Sequence, residues 1–296
     1  MCQDTVELFD EKRFFVIGLP VKKLSLENSF AAPVYHEETV SSTMEIARSL
    51  AAEGKPHGTV ITTDFQEAGR GRLRRPWLME KGQNLMFTII LRYPDFPAIP
   101  PALTLKTGLA VSLAIEDFAP PLAGQVQVKW PNDVMIISKA QAAYKAQAAW
   151  KAAGILTEAE GGAVYIGIGV NLAQREFPGE IRHKARGIFA ALAETSPEKN
   201  PGELFQSGDP RFILLEKILA RLYGEIETGD ADSWKPRLEA RLFRRGEDVR
   251  FADGAAGSDK IVEGRLAGIG EGGGLLIQPA GENRPLVFNN GELLVY

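Results

Sequence analysis

Cysteine is nearly absent: the 296 residues hold one, Cys2. A single thiol closes no disulfide within the chain and builds no thiolate metal cluster. Histidine is scarce too. His36, His57 and His183 lie far apart, without the short spacing of a metal-ligand pair. Each is read as a surface or loop residue. Apolar runs are short, and none is expected to approach the roughly 18 residues of a membrane span. The first 30 residues carry acids and lack a basic start followed by an apolar core, so no signal peptide is read there. Positive charge is not in excess. A net charge of −4 and a pI of about 5.6 argue against wholesale nucleic-acid binding. What remains is an ordinary globular composition, 45% hydrophobic and 24% charged. It is long enough for one large or two modest domains. A soluble cytoplasmic protein is the expectation.

Residues 1–35 are weakly patterned apart from a strand-like Phe14-Phe15-Val16-Ile17. They are read as an N-terminal extension, too short and too plain for a winged-helix DNA-binding module. Ser42-Thr43-Met44-Glu45 has the spacing of a capping box, and Ile46, Ala47, Leu50 and Ala51 follow as a helical stripe that Gly54 ends. Strands are expected over Thr59–Phe65, Leu85–Leu91, Val126–Trp130, Val134–Ile137, Gly154–Thr157 and Val164–Val170, with a helix over Leu103–Phe118. Asp209-Pro210 caps and opens a further helix, and a shorter one surrounds Trp234 and Leu238. After Gly246 the pattern changes to short, glycine-punctuated strands, read as a small β-barrel. The expected fold class is α+β. A mixed β-sheet with flanking helices spans 36–245 and a small C-terminal barrel spans 246–296. One oddity stands out: Lys139-Ala-Gln-Ala-Ala-Tyr144 is repeated as Lys145-Ala-Gln-Ala-Ala-Trp150.

Four motifs carry chemistry. The stretch from Gln66 to Trp77 contains Gly69-Arg70-Gly71-Arg72-Leu73-Arg74-Arg75. Four arginines so close repel one another unless an anion joins them through forked, charge-assisted bonds. The glycines let the backbone approach a ligand. A solvated basic loop or a nucleic-acid contact fits the same residues. Lys129-Trp130-Pro131-Asn132-Asp133 ends a strand in a sharp turn. It offers a cation for phosphate and oxygen acceptors for a ribose, a base edge or a magnesium ion. Lys151-Ala152-Ala153-Gly154-Ile155-Leu156 sets a lysine beside an apolar strand. Gly167-Ile168-Gly169-Val170-Asn171 puts glycines on one strand face, leaving room for a flat ligand, with an amide at the end. Plain sheet packing accounts for either of these last two in isolation.

Taken in this order the motifs resemble those of the biotin–protein ligase family, including bacterial biotin–acetyl-CoA-carboxylase ligases. The family reads Gly-Arg-Gly-Arg-x-Gly-Arg-x-Trp, then Lys-Trp-Pro-Asn-Asp, Lys-x-x-Gly-Ile-Leu and Gly-x-Gly-x-Asn. The resemblance runs from about Ser41 to Asn171, and more weakly to Asn290-Gly291-Glu292-Leu293. It implies a class II synthetase-like core with an SH3-like C-terminal barrel. It also implies an ATP- and Mg2+-dependent enzyme that makes biotinyl-5′-AMP and passes biotin to a lysine of a biotin carboxyl carrier domain.

Ser42 and Thr43 match positions that touch biotin in this family. Gln66, Gly69, Arg70 and Arg72 match the loop that holds biotin and its adenylate, and Trp77 the aromatic near adenine. Lys129, Asn132 and Asp133 match nucleotide-side and structural positions. Lys151 matches the lysine on the reacting carboxylate and phosphate, Asn171 the adenine-side asparagine, and Gly154 and Gly167 the motif glycines. Arg72 and Lys151 are the candidate catalytic residues; no metal ligand is assigned.

Two departures mark this chain. Arg74 stands where the family has glycine, and the hexapeptide repeat lies just before Lys151. Only Lys151, not Lys139 or Lys145, keeps the spacing to Gly154-Ile155-Leu156. The alternatives are a lipoate or octanoyl ligase and a ligase-like protein with impaired activity. The lack of a recognisable DNA-binding module is read as a monofunctional ligase, and neither DNA nor a membrane is expected as a partner. It leaves a homodimer through an exposed sheet edge open.

Overall fold

The computed structural model describes residues 13–16, 19–138, 148–198, 208–229, 233–254 and 260–294. The chain opens with strands β1 (Arg13–Val16), β2 (Leu19–Leu24) and β3 (Val34–Val40), then helix α1 (Thr43–Ala52). Strands β4 (Thr59–Gln66) and β5 (Leu85–Arg92), helix α2 (Leu103–Phe118), and strands β6 (Val126–Lys129), β7 (Asp133–Ile137), β8 (Ala149–Glu160) and β9 (Ala163–Val170) follow. Next come helices α3 (Ile188–Thr195), α4 (Pro210–Tyr223) and α5 (Trp234–Glu239). Strands β10 (Asp248–Asp253), β11 (Ile261–Ile269), β12 (Leu275–Gln278), β13 (Leu286–Phe288) and β14 (Gly291–Leu294) close the described chain.

Nine strands form one mixed sheet in the order β1-β2-β3-β4-β5-β9-β8-β7-β6. Every pair is antiparallel except β3 and β4, which run parallel because α1 is the crossover between them. Strands from the segment set apart in the sequence as 1–35 extend this sheet, with Lys22 opposite His36. Leu85, Phe87, Ile89 and Leu91 of β5 face a core shared with α2, α3 and α4. Ile90 faces the other side, where it packs with Ile46, Ala47 and Leu50 of α1. Both faces are covered, which explains why this strand reads as nearly continuous apolar sequence.

Two expectations are corrected, and one helix was missed. Phe96–Phe118 is long and apolar enough, by length and composition, to cross a membrane, although no such run was expected. Here it comprises a short turn and α2, whose residues are mostly buried in the core against the sheet. The capping box at Ser42 does not form: Ser42 Oγ accepts from Met44 N–H at 3.2 Å, and Glu45 turns to Ser41 Oγ at 2.6 Å. Helix α3 was not foreseen, since eight residues after a glycine give little period to read. The hexapeptide repeat lies mostly outside the described residues.

The C-terminal strands form a five-stranded antiparallel sheet, β13-β12-β11-β10-β14. Its inner face is not a separate core. Phe251, Leu266, Ile277 and Leu293 pack with Leu105 and Leu109 of α2, with Trp130, and with Trp234 and Leu238 of α5. Trp130 Nε1 donates to Gly273 O at 3.0 Å, fastening the Lys129–Asp133 turn to this sheet.

Candidate active site

A cavity of about 900 Å³ opens over the α1 face of the large sheet. That size suits a substrate-sized ligand. Its floor is β5, β9 and β8; its walls are the start of α1, the loop after β4, the β6–β7 turn and β14.

One side is neutral and polar. The side chain of Gln66, at the end of β4, faces the first turn of α1. Its Oε1 accepts from Thr43 N–H at 2.8 Å and from Thr43 Oγ1 at 3.0 Å. Thr88 Oγ1 in turn donates to Thr43 Oγ1 at 2.9 Å. All three residues are buried. A buried relay of this kind must be satisfied or it destabilises the core. Gly69 does not line the cavity; a Cβ there would lie 2.9 Å from Gln66 Nε2, so its smallness shapes the relay from behind.

The arginine loop is a closed finger. Gly71 N–H bonds Arg75 O at 2.9 Å, and Trp77 N–H bonds Gly69 O at 2.9 Å. Its tip requires two left-handed residues, Leu73 at φ 59° and Arg74 at φ 56°. A non-glycine residue there costs about 1–2 kcal/mol. The glycine-to-arginine departure therefore falls where glycine would be unstrained. The expected repulsion among the arginines is partly relieved by protein partners, anionic at Arg70 and Arg75 and a neutral amide at Arg72. Arg70 meets Glu45 at 3.2 Å, and Arg72 Nη1 donates to Asn132 Oδ1 at 3.2 Å. Arg75 pairs bidentately with Glu292 of β14 at 3.1 and 3.0 Å. The hydrogen bond to Arg75 holds the Glu292 carboxyl below its ordinary range.

The opposite side is charged. Asn132 Nδ2 donates to Ile155 O, and Ile155 N–H returns to Asn132 O, both at 2.9 Å, so the turn after β6 is clamped to β8. Asp133 then stands between two lysines: Lys151 Nζ is 2.6 Å from Oδ1, and Lys129 Nζ is 4.0 Å from Oδ2. Lys129 is buried, and desolvation lowers its pKa. Lys151 Nζ also lies over the Trp77 ring, 5.3 Å from its centre.

Lys151 reaches this face through a β-bulge. Strict alternation would place residues 151 and 154 on opposite faces. Opposite β7 the register shifts: Val134 pairs with Ala153 but Met135 pairs with Lys151, leaving Ala152 as the extra residue. The bulge turns the lysine onto the face of Gly154. Its backbone is secured at several points. Lys151 N–H donates to Lys184 O, Asn171 N–H to Ala152 O, and Asn171 Nδ2 to Lys151 O at 3.0 Å.

The cavity brings together Ser42, Thr43, Gln66, Arg70, Arg72, Trp77, Lys129, Asn132, Asp133, Lys151, Gly154, Gly167 and Asn171. The flat-ligand reading of the glycine face changes, because Trp77 already lies against it at Gly154 and Gly169. Thr88, Arg75 and Glu292 also line the site and were not singled out. Thr88 had one signal, a lone polar residue at an alternate position of an apolar strand, directly opposite Gly167.

With this geometry in hand, the comparisons with known proteins are decisive. Residues 37–172 match the profile of the Biotin/lipoate A/B protein ligase family. The chain is 37% identical over 251 residues to the bifunctional ligase/repressor BirA of Bacillus spizizenii, covering 82% of this chain and 68% of that protein. It is 33% identical over 223 residues to the biotin–[acetyl-CoA-carboxylase] ligase of Paracoccus denitrificans, covering 73% of this chain and 82% of that one. This chain belongs to the biotin–protein ligase family. Among solved structures, the Aquifex aeolicus biotin protein ligase in complex with biotin and ATP superposes with a TM-score of 0.65 at 28% identity. That match covers 88% of this ligase-family chain and 97% of the other.

Proposed function

We propose that this chain is an ATP-dependent biotin–protein ligase. The observation that carries the reading is the polarity of one continuous cavity. A neutral relay (Thr43, Gln66, Thr88) sits over β4 and β5. Lys151 and Asp133 sit over β8 and β7, joined by Lys129 from the end of β6, about 14 Å away at the usual strand spacing. Such a site suits a mostly uncharged acid whose carboxylate must meet a nucleotide phosphate.

In the first step a carboxylate oxygen of biotin attacks the α-phosphorus of ATP. The phosphorus–oxygen bond to pyrophosphate breaks, giving biotinyl-5′-AMP. The difficulty is joining two anions. Lys151, held by Asp133 and lining the cavity, places a positive charge where they meet, and Arg72, steadied by Asn132, adds a second. Fixed charges in a partly desolvated site stabilise the transition state without reorganising. The donor set fits a magnesium ion that arrives on the triphosphate: Asp133 and Asn132 are hard oxygen ligands. Among the described residues no group of three His, Cys, Asp or Glu side chains would hold one alone. Such an ion would neutralise phosphate charge. In the second step an acceptor lysine amine attacks the acyl carbon, AMP leaves with its bonding pair, and the amine loses a proton. The finger from Gly69 to Trp77, which walls the cavity, shields the mixed anhydride from water.

The test is direct. The protein is incubated with biotin, ATP, magnesium and a biotin carboxyl carrier domain, and the acceptor is weighed by mass spectrometry. One added biotin per acceptor is expected. An unmodified acceptor in the presence of folded protein overturns the proposal, and modification by lipoate in place of biotin moves the reading to a lipoate ligase.

A further inference from the structure

Gly154 and Gly169 are direct cross-strand partners on β8 and β9, facing the cavity. A Cβ at Gly169 would lie 2.7 Å from both Cε2 and Cζ2 of Trp77, and one at Gly154 would lie 2.8 Å from Cζ3. Non-bonded carbons settle at about 3.5–4.0 Å. The indole therefore fills the space that two side chains would claim. No hydrogen bond holds the ring there, since Trp77 Nε1 is buried without an acceptor among the described residues. Its seat rests on packing into the gap between the strands. Lys151 Nζ lies over the same ring and 3.0 Å from the Gly154 Cβ position.

We infer that the Gly154–Gly169 pair is a socket for the Trp77 indole, and that the seated indole positions the Lys151 ammonium for the first chemical step. Asp133 fixes Lys151 from one side; the ring face fixes it from another. The glycines and Trp77 act here as positioning residues. The socket stands on geometry alone, whereas the positioning of Lys151 for adenylation rests on the ligase reading above.

Gly169→Ala is the decisive variant, because the atoms nearest its Cβ belong to Trp77 and Met86, whereas a Cβ at Gly154 would also press on Lys151. Two readouts separate the two halves. Acrylamide quenching of Trp77, taken as the difference between each protein and its Trp77→Phe counterpart, needs no substrate. The quenching constant of Trp77 is expected to rise about twofold in Gly169→Ala. Biotinyl-adenylate formation at saturating biotin and ATP is expected to fall about tenfold, in kcat more than in KM, as misplacement of a reacting group dictates. In a Trp77→Ala background the same substitution is expected to change the rate less than about twofold, because its effect travels through the indole.

Unchanged quenching overturns the socket. Changed quenching with unchanged kcat, or an equal fall in the Trp77→Ala background, overturns the positioning of Lys151. If the wild-type chain forms no adenylate, the ligase reading falls while quenching still decides the socket. If Gly169→Ala does not fold, Trp77→Phe and Trp77→Leu replace it. Phenylalanine keeps a ring face beside the ammonium and is expected to hold the rate within about threefold, and leucine to lose about tenfold. Equal rates for the two overturn the proposal.

Discussion

Lys151 and Arg74 are the residues whose individual chemistry is most exposed to test. Lys151 meets Asp133 and the Trp77 ring and lines the cavity. Lys151→Ala is expected to lower biotinyl-adenylate formation by about 10²–10³-fold, the usual cost of removing a preorganised charge. Pyrophosphate release measures it, and a loss of under tenfold removes Lys151 from its assigned role. Arg74 sits at φ 56° with its side chain exposed and carries no hydrogen bond or ion pair among the described residues. Arg74→Gly is therefore expected to stabilise the fold by about 1 kcal/mol, read as a rise in melting temperature. An unchanged or lower Tm contradicts that reading of strain. The residue types and their order were legible in the sequence, because charge and amide groups announce themselves. Thr88 was marked only as a polar residue in an apolar strand, and its partners Thr43 and Gln66 come from α1 and β4, which no local pattern connects to it.

At the scale of elements, the strands and long helices followed from alternation and caps, and the sequence pattern located most of them. Two local departures from regular geometry could not be read. Lys151 and Gly154 are three apart, and alternation alone sends them to opposite faces; only the bulge at Ala152 reunites them. Ser42 Oγ accepts from Met44 N–H, not Glu45 N–H, and the Glu45 carboxylate goes to Arg70 and Ser41 in place of reaching back to Ser42. Tertiary partners decided both. The bulge depends on Asn171, whose Nδ2 donates to Lys151 O from a buried position. Asn171→Ala removes one of two donors to the Lys151 carbonyl, which keeps Arg186 N–H, and is expected to cost about 1 kcal/mol. Thermal unfolding measures it. Retention of full stability would show the bulge to be held by the other backbone bonds alone.

The whole molecule is tied together across its two sheets. The change of pattern near Gly246 was visible in the sequence, but the shared core beneath it was not, because burial between α2 and β10–β14 leaves no periodic signature. The Arg75–Glu292 pair is the polar tie between the loop and the C-terminal sheet. Glu292 is held below its ordinary 4.5, mainly by the hydrogen bond from Arg75. The unfolded chain therefore takes up that proton first as pH falls. The pair's contribution is present above about pH 4.5 and is lost as pH drops through the lowered folded value. Both partners are partly exposed, so the contribution is modest. A small Tm deficit of Glu292→Gln against the wild type is expected at pH 7, shrinking as pH falls below about 4.5. A deficit that does not shrink on acidification would assign Glu292 a role other than this ion pair.

The finger's arginines also bear on how the protein meets its ligands. Arg70, Arg72 and Arg75 are each engaged by Glu45, Asn132 and Glu292. At Arg70 and Arg75 an incoming triphosphate exchanges one anionic partner for another; only Arg72, on a neutral amide, and Arg74 bring charge without an anion. Binding by exchange releases fewer counterions than the four arginines of the loop would suggest. The nucleotide's affinity is therefore expected to fall only gently as salt is raised, and calorimetric titration over a salt series would show it. A steep decline would mean that the arginines leave their protein partners before the nucleotide arrives.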